Sequence, residues 1–372
     1  ASVARDVSYR TTAATMPAPI VGRAIRWGIM GSGRIASDMT RVLTQLPNTE
    51  VVAAGCGAPE TAELFAGRFG IPKAHGSYAA LAADADCDVV YVATPSMRHV
   101  QDSIMCLEGG RAVLCEKAMA PSAAEATRVL NVAREKELFF LHGVWSRFFP
   151  AMAAIRDAIR SGAIGDVVSA HASFGQDDGA GQASATLETG IYCAQFLQWA
   201  MDGDAPESIE GVVAELHKES GLDQHVAALL RFPGNRVGTL ECSLKNPTAR
   251  VGVVNGTEGV IRVPFPFWCP TEFSLQRMSG LGSQDFGPET KRSFPLPDIE
   301  GDFNYVNSQG LAYQAEEVNR CLAEGLTQTP KFDARECFSV MQVLSDIRNR
   351  AGGDEAIQAA KDKKTIQGSG YS

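Results

Sequence analysis

The chain has 372 residues, of which 45% are hydrophobic and 21% are charged, a composition typical of a globular protein with room for two domains. Its formal net charge of -9 argues against nucleic acid or an anionic membrane surface as the partner. Nine cysteines are scattered without a C-x-x-C pair, and no apolar run approaches the roughly 18 residues of a membrane span. We therefore expect a cytoplasmic protein without disulfides.

The first structured segment contains a glycine-rich motif between a strand and a helix. Residues 1–25 lack the apolar core of a signal peptide, and we interpret them as a flexible leader. An apolar strand over residues 24–30 then runs into Gly31, Ser32, Gly33, Arg34, Ile35 and Ala36, and a helical pattern follows. In this context Gly31 permits a tight turn, Gly33 lets the backbone approach a pyrophosphate, and the helix N-terminus favours the phosphates. The sequence therefore predicts a dinucleotide-binding domain.

The end of the second predicted strand bears on the choice of dinucleotide. Enzymes of this kind that prefer NAD usually carry an acidic residue there, which binds the ribose hydroxyls. Here the strand over residues 51–56 ends at Cys56, between two glycines and without an acid. The missing carboxylate favours NADP, with NAD still possible. Arg34 is either a ligand of the 2′-phosphate or a solvated residue at the start of the helix.

The rest of the first domain alternates strands and helices. Strands are predicted over residues 88–94, 112–116 and 138–144, and helices over residues 97–107 and 122–136. The uninterrupted apolar strands predict a doubly wound parallel sheet, a Rossmann domain over residues 26–144. Ligands bind such sheets at the carboxyl edge of the strands. The residues that follow or end strands there are Thr94, Pro95, His99, Glu116 and Lys117. Lys117 could also be a lysine that extends to solvent.

The second domain, residues 145–372, has a different pattern. A helix over residues 150–161 precedes strands over 167–174, 209–217, 226–232, 237–244 and 251–263, the last with a hairpin turn at residues 255–259. Alternation with a period of two predicts a large open, mostly antiparallel sheet with one covered face, in an α+β domain. Helices follow over residues 309–324 and 332–349, before a polar tail.

Two polar residues of the second domain are candidates for chemistry. Glu188 and Tyr192 are four residues apart, which on a helix places them on one face. Taken alone, Tyr192 is better explained as a core aromatic, because the residues after it are largely apolar. Trp145, Phe148 and Phe174 either line a pocket or fill the core, and the pocket is favoured for Trp145. The six histidines are dispersed, so we predict no metal site.

From about Arg26 onward the chain resembles the glucose-fructose oxidoreductase / inositol dehydrogenase (Gfo/Idh/MocA) family, in particular its dimeric dihydrodiol dehydrogenase and D-xylose dehydrogenase branch. Besides the glycine motif, the segments that carry the resemblance lie at residues 72–78, 113–117, 145–150, 187–193 and 268–272. The resemblance implies hydride transfer between a nicotinamide and a secondary alcohol or hemiacetal of a cyclic sugar or trans-dihydrodiol.

The resemblance also implies roles for individual residues. Tyr192 would be the general acid/base, Lys117 would favour its phenolate, and Glu188 would stand where the family usually has aspartate. The implied substrate-binding residues are Trp145, Arg147, Phe148, Phe174 and Tyr192, and the implied assembly is a homodimer through the second sheet. Ala118 replaces the usual proline, and the stretch over residues 174–187 is short, with a polar segment at residues 176–181. These departures keep open a non-redox alternative, a nucleotide-binding sensor or an isomerase or cyclase.

Overall fold

A computed structural model describes residues 18–177, 181–279 and 285–352 of the chain. Residues 1–17 of the expected leader and the expected polar tail after residue 352 lie outside the described residues. The same holds for residues 178–180 of the polar segment that was singled out in the sequence.

The first part of the chain forms a six-stranded parallel sheet in the order β3-β2-β1-β4-β5-β6, which confirms the predicted Rossmann architecture. Its strands are β1 (Ile25–Met30), β2 (Thr49–Gly55), β3 (Lys73–His75), β4 (Val89–Val92), β5 (Ala112–Glu116) and β6 (Phe140–Gly143). The intervening helices are α1 (Arg34–Leu43), α2 (Pro59–Phe69), α3 (Tyr78–Ala82), α4 (His99–Glu108) and α5 (Ala123–Glu135). The strand order reverses between β1 and β4, where ligands of such sheets bind.

The second part forms an eight-stranded sheet in the order β14-β13-β12-β11-β7-β10-β9-β8. The strands are β7 (Val167–Gly175), β8 (Ser208–Leu216), β9 (Asp223–Phe232), β10 (Arg236–Ser243), β11 (Gly252–Gly256), β12 (Gly259–Val263), β13 (Glu272–Arg277) and β14 (Thr290–Ser293). All neighbours are antiparallel except β7 and β10, which are parallel, so the predicted mostly antiparallel sheet is confirmed.

The helices of the second part are α6 (Pro150–Arg160), α7 (Ile191–Ala200), α8 (Leu311–Ala323) and α9 (Ala334–Ala351). Helix α7 packs against β7 and β10 and buries one face of the sheet, where Leu230 and Cys242 are at most 1% exposed. On the opposite face, Leu229 and Val237 are 41% and 39% exposed. The sheet therefore has one covered face, as the alternation predicted, and one open face.

The last third of the chain returns to the Rossmann part. Helix α8 packs against α1, and Asn319 on α8 accepts a hydrogen bond from the Trp27 indole N–H of β1 at 3.0 Å. Helix α8 is thereby fixed against the Rossmann sheet. The division of the chain at residue 144 stays a prediction. None of the helices in the described part of the chain has both the length and the apolar character that crossing a membrane requires.

Candidate active site

The glycine motif forms an open cradle at the start of α1. Gly31 has a φ of +109°, and a Cβ there would lie 2.6 Å from the Ala93 carbonyl oxygen, so both conformation and space require glycine. Gly33 precedes α1 without a capping side chain, and a Cβ on it would meet nothing within 4 Å. The free N–H groups of the first turn of α1 therefore face open space. This arrangement fits the pyrophosphate of a dinucleotide.

The position after β2 carries no carboxylate. Cys56 is 2% exposed, and its N–H donates to the His75 carbonyl oxygen at 3.1 Å. Burial raises the pKa of its thiol, so Cys56 is neutral. Gly57 beside it is exposed. Arg34 is also exposed, and its guanidinium carbon lies 5.2 Å from the ring centre of Tyr305.

His99 ties together the two loops at the carboxyl edge of the sheet. It is 2% exposed, and its Nδ1 lies 2.9 Å from the carbonyl oxygen of Ala118, while its Nε2 lies 2.8 Å from that of Thr94. Burial lowers the pKa of His99, against the opposite effect of the two carbonyl groups. Because both ring nitrogens face the backbone, His99 has none left to exchange a proton with a substrate.

Lys117 forms a close ion pair at the end of β5. Its Nζ lies 2.7 Å from Glu188 Oε2 and donates to the Glu188 carbonyl oxygen at 3.2 Å. Burial lowers the pKa of Lys117, but Glu188, Tyr192 and Glu116 together outweigh burial, and the net pKa lies above its ordinary value. The neighbouring Glu116 accepts hydrogen bonds from the Tyr91 hydroxyl and the Lys117 N–H, and burial raises its pKa. The Lys117–Ala118 peptide bond is cis.

Tyr192 lies in the first turn of α7, beside the ion pair. Its ring centre is 5.7 Å from Lys117 Nζ and 5.6 Å from the ring centre of Phe174. Burial raises the pKa of Tyr192, and Lys117 lowers it by a smaller amount. Lys117 thus acts in the direction expected from the sequence, but burial keeps the phenol protonated at neutral pH.

Aromatic side chains form one wall of the cleft that contains these groups. Phe174 and Trp268 are stacked, with ring centres 3.9 Å apart and planes at 14°. Phe265 meets Trp268 edge-on at 5.4 Å. Trp145 lines the cleft as well, as the sequence favoured. Sequence reasoning missed Phe265 and Trp268 as pocket residues, although three of the four residues 265–268 are aromatic.

The cleft has a volume of about 470 Å³ and lies between the two sheets. Its other predicted members include Thr94, His99, Glu116, Lys117 and Glu188. Ile35, a predicted cofactor residue of the glycine motif, lines it too. The residues that line it without having been predicted are Ser96, Gly143, Gln176, Arg250, Phe265, Trp268, Asn304, Tyr305, Val306 and Leu311. Within the described residues, no group of three or more His, Cys, Asp or Glu side chains could hold a metal ion.

Arg147 and Phe148 do not line the cleft, contrary to the prediction that they bind substrate. The guanidinium of Arg147 has no exposed surface, and it donates to Gln195, Gln198 and Glu336, at 2.8, 2.7 and 2.7 Å respectively. These bonds join the turn Trp145–Phe148 to α7 and α9. Arg147 is therefore a buried cation that connects three elements, and Phe148 packs in the core beside it.

A segment from the last third of the chain borders the cofactor side of the cleft. Asp38 on α1 is 1% exposed, and its carboxylate accepts hydrogen bonds from the N–H groups of Asn304 and Tyr305 and from the Ser308 hydroxyl. Asn304 and Tyr305 in turn line the cleft. A sequence separation of about 266 residues between the partners hides this contact from local patterns.

Comparison with known proteins agrees with this geometry. A family model described as an oxidoreductase family with an NAD-binding Rossmann fold matches residues 25–143, and one described as a GFO/IDH/MocA C-terminal domain matches residues 152–262. Trans-1,2-dihydrobenzene-1,2-diol dehydrogenase of Sus scrofa is 36% identical over 340 residues, which cover 88% of this chain and 97% of the relative.

Two solved structures have a similar fold. Levoglucosan dehydrogenase in complex with NADH and levoglucosan has a TM-score of 0.76 at 19% identity, and the match covers 89% of this chain and 97% of that one. KijD10, a 3-ketoreductase from Actinomadura kijaniata in complex with NADP, has a TM-score of 0.74 at 21% identity, with 88% and 97% covered. At these identities the likeness concerns the fold alone.

Proposed function

The chain belongs to the GFO/IDH/MocA family of oxidoreductases, and we propose that it is an NADP-dependent dehydrogenase acting on a secondary alcohol or hemiacetal of a cyclic sugar or trans-dihydrodiol. The observation that carries the proposal is the cluster of Lys117, Glu188 and Tyr192 in the cleft at the carboxyl edge of the Rossmann sheet. A nucleotide sensor has no need of a tyrosine and a lysine at this place.

We assign the cofactor to the residues along that edge. The cradle of Gly31, Ser32, Gly33, Arg34, Ile35 and Ala36 would hold the pyrophosphate, and Cys56 would lie beside the adenosine ribose. Thr94, Pro95, His99, Glu116 and Lys117 would border the nicotinamide side. The absence of an acid at Cys56 and Gly57 favours NADP over NAD, because no negative charge there repels a 2′-phosphate. When bound, the nicotinamide supplies the acceptor or donor of the hydride.

Tyr192 would move the proton that accompanies the hydride. In the direction of reduction, the carbonyl carbon gains a hydride while the neutral phenol of Tyr192 gives its proton to the carbonyl oxygen. In the direction of oxidation, Tyr192 must first lose its proton, and the charge of Lys117 favours that phenolate. Glu188 would hold Lys117 in place and in its charged form.

The aromatic wall supports a ring-shaped substrate with one apolar face. Phe174 and Trp268 offer flat surfaces against which the C–H face of a sugar or a cyclic diol can pack. Trp145 adds an indole N–H that is buried without a hydrogen-bond partner among the described residues. That donor would bind a substrate hydroxyl. The name of the 36% identical relative, a dehydrogenase of trans-1,2-dihydrobenzene-1,2-diol, supports a cyclic diol as one such substrate.

The proposal is tested by the absorbance of reduced nicotinamide, with NADP and NAD, against a panel of aldopyranoses and trans-dihydrodiols. Tyr192→Phe should lower kcat by about 10²- to 10⁴-fold, the usual contribution of general acid–base catalysis, with nucleotide affinity unchanged. Tyr313→Phe is the matched control, since the Tyr313 hydroxyl donates to the Pro295 carbonyl oxygen outside the cleft. Wild-type protein that binds nucleotide but turns over nothing on the panel would favour the non-redox alternative.

We further propose a homodimer in the cytoplasm. The open face of the eight-stranded sheet presents Val213, Leu229 and Val237, which are 77%, 41% and 39% exposed, and a second copy of the chain would cover them. All nine cysteines are buried and free of disulfides, which supports a reducing compartment.

A further inference from the structure

Arg250 is fixed at the aromatic wall of the cleft by two contacts. It lies between β10 and β11 with a φ of +55°, and its N–H donates to the Ser173 hydroxyl at 3.1 Å. Ser173 directly precedes Phe174 in the chain. Its guanidinium carbon lies 4.5 Å from the ring centre of Phe265. Backbone and side chain are thus both anchored, and the guanidinium is held among the residues that line the cleft.

The charge of Arg250 has no counterion in the described part of the chain. No carboxylate of residues 18–177, 181–279 and 285–352 lies within 4.0 Å of its guanidinium, whereas Lys117, the other cation of the cleft, is paired with Glu188. Stacking on Phe265 uses the flat face of the guanidinium and leaves its N–H groups at the edge free to donate. Arg250 is therefore a positioned, unpaired donor of two parallel hydrogen bonds.

A chain of ring contacts relates this cation to the reaction centre. Phe265 meets Trp268, Trp268 stacks on Phe174, and Phe174 lies beside Tyr192. Tyr192 and Arg250 thus stand at opposite ends of this series of contacts and line the same cleft. A ring bound on this wall with one carbon at Tyr192 would have its far substituents within the part of the cleft that Arg250 lines. The planar guanidinium matches a carboxylate or a phosphate oxygen pair in bidentate geometry.

We propose that Arg250 forms an anion subsite of the substrate cleft, and that the preferred substrate is a cyclic polyol carrying a carboxylate or phosphate group away from the reacting carbon. This inference rests on the proposed dehydrogenase function and names its substrate class. A neutral sugar gains nothing from Arg250, while an anionic one gains a charge-assisted bidentate contact. Arg250 is thus a residue that determines specificity and takes no part in hydride or proton transfer.

The test compares matched substrates in wild type and Arg250→Gln. The set is glucose, glucuronate and glucose 6-phosphate, followed by galactose and galacturonate, each with saturating NADP. Wild type should prefer an anionic member over its neutral counterpart by at least about tenfold in kcat/KM. Arg250→Gln should remove that preference, mainly through KM, and leave the neutral sugars and the Kd of NADP within about twofold. The substrate whose kcat/KM falls more in Arg250→Gln, glucuronate or glucose 6-phosphate, identifies the preferred anion.

Two further variants sharpen the comparison. Arg292→Gln is the matched control, because Arg292 also stacks on aromatic rings, those of Phe273 and Phe294, but does not line the cleft. It should leave every kcat/KM unchanged. Arg250→Lys keeps the charge without the bidentate fork and should restore part of the anionic preference.

The proposal is overturned if wild type shows no preference for anionic substrates. It is also overturned if Arg250→Gln lowers kcat/KM equally for neutral and anionic sugars. A raised Kd for NADP would instead assign Arg250 to the cofactor. If wild type turns over neither a sugar nor a trans-dihydrodiol, the dehydrogenase function fails separately. Calorimetric titration of NADP-loaded protein with glucuronate and glucose 6-phosphate then tests the subsite. If an anionic sugar binds to wild type but not to Arg250→Gln, the subsite is supported. If neither anionic sugar binds to wild type, the subsite is refuted.

Discussion

The charge on Lys117 has two neighbours that compete for it. Glu188 lies at 2.7 Å and stabilises the ammonium, while Tyr192 would gain from the same charge only as a phenolate. Burial raises the pKa of Tyr192, Lys117 lowers it, and smaller contributions from Glu116, Cys269 and Glu188 raise it further. The carboxylate of Glu188 therefore weakens the effect of Lys117 on the tyrosine, in addition to holding the lysine in position.

Replacing Glu188 by glutamine should shift the pH dependence of the oxidation reaction. The substitution removes a negative charge near Tyr192, so the pKa of Tyr192 should fall. Oxidation needs the phenolate, and the limb on which kcat/KM rises with pH should move to lower pH. Rates measured from pH 6 to pH 11 with NADP and the best substrate of the panel test this.

Glu188→Asp is the control for that experiment, since it keeps the charge and restores the residue that the family usually carries. The kcat/KM of Glu188→Asp should rise over the same pH range as that of wild type. If kcat/KM of Glu188→Gln rises over the same pH range as that of wild type, then Glu188 acts on the position of Lys117 alone, or Tyr192 is not the group that titrates.

Motif and context were sufficient to locate the residues that end strands or begin helices. Local patterns place Gly31 and Lys117 at the ends of strands, whereas for Tyr192 they leave a core aromatic open and its role comes from the family resemblance. The structure brings Lys117 and Tyr192 into one cleft. Arg147 shows where such reasoning fails. Its neighbours in the chain resemble a pocket segment, but its side chain turns to Gln195, Gln198 and Glu336, partners up to 189 residues away that no local pattern reveals.

The same distinction applies to the strands. The buried strands β1, β4 and β5 are largely apolar, and they were predicted. Strand β3 has only three residues, and β14 is exposed throughout, so neither has the hydrophobic pattern on which prediction depends. The segment that carries Asn304 and Tyr305 has no regular structure, and its place in the cleft depends on Asp38 of α1.

The end of β2 offers a direct test of cofactor choice. Gly57 is exposed there, and a Cβ on it would have the Tyr78 hydroxyl oxygen as its nearest neighbour, at 3.8 Å, an ordinary contact. Gly57→Asp should fit and place a carboxylate beside the ribose. We expect NADP affinity to fall by about tenfold or more, about 1.4 kcal/mol, because the carboxylate repels the 2′-phosphate, while NAD affinity is kept or improved.

Fluorescence titration with NADPH and NADH measures both affinities. Gly57→Asn is the matched control, since it has nearly the same shape without the charge and should bind NADPH much as wild type does. Equal losses in the two variants would point to a steric effect and would remove the support that the missing acid gives to NADP.

The two sheets make a single cleft because the end of the chain is tied back to the start. The Asp38 carboxylate receives two backbone N–H groups and the Ser308 hydroxyl, and Trp27 of β1 donates to Asn319 of α8. Hydrogen bonds to a buried carboxylate contribute about 1.5–3 kcal/mol each, so this junction is well determined. It sets the distance between the nucleotide cradle on α1 and the aromatic wall.

The open face of the eight-stranded sheet presents exposed apolar side chains, among them Leu229 and Val237. Its exposed positions line up across neighbouring strands, since Leu229 on β9 pairs with Thr239 on β10 and Val237 on β10 pairs with Arg231 on β9. His171 on β7 continues the row through its hydrogen bond with Thr239 at 2.8 Å. A flat face of mixed apolar and polar character suits the contact between two identical sheets related by a two-fold axis.

Light scattering after size-exclusion chromatography tests this assembly. Wild type should have twice the mass of one chain, and Leu229→Arg should shift it to the monomer, because each copy would bury an unpaired guanidinium group in the interface. Leu64→Arg is the matched control, since Leu64 is 77% exposed but belongs to α2 of the Rossmann part and not to the eight-stranded sheet. A monomeric wild type contradicts the proposed dimer outright. A Leu229→Arg variant that stays dimeric would leave the dimer intact but move its interface away from the open face.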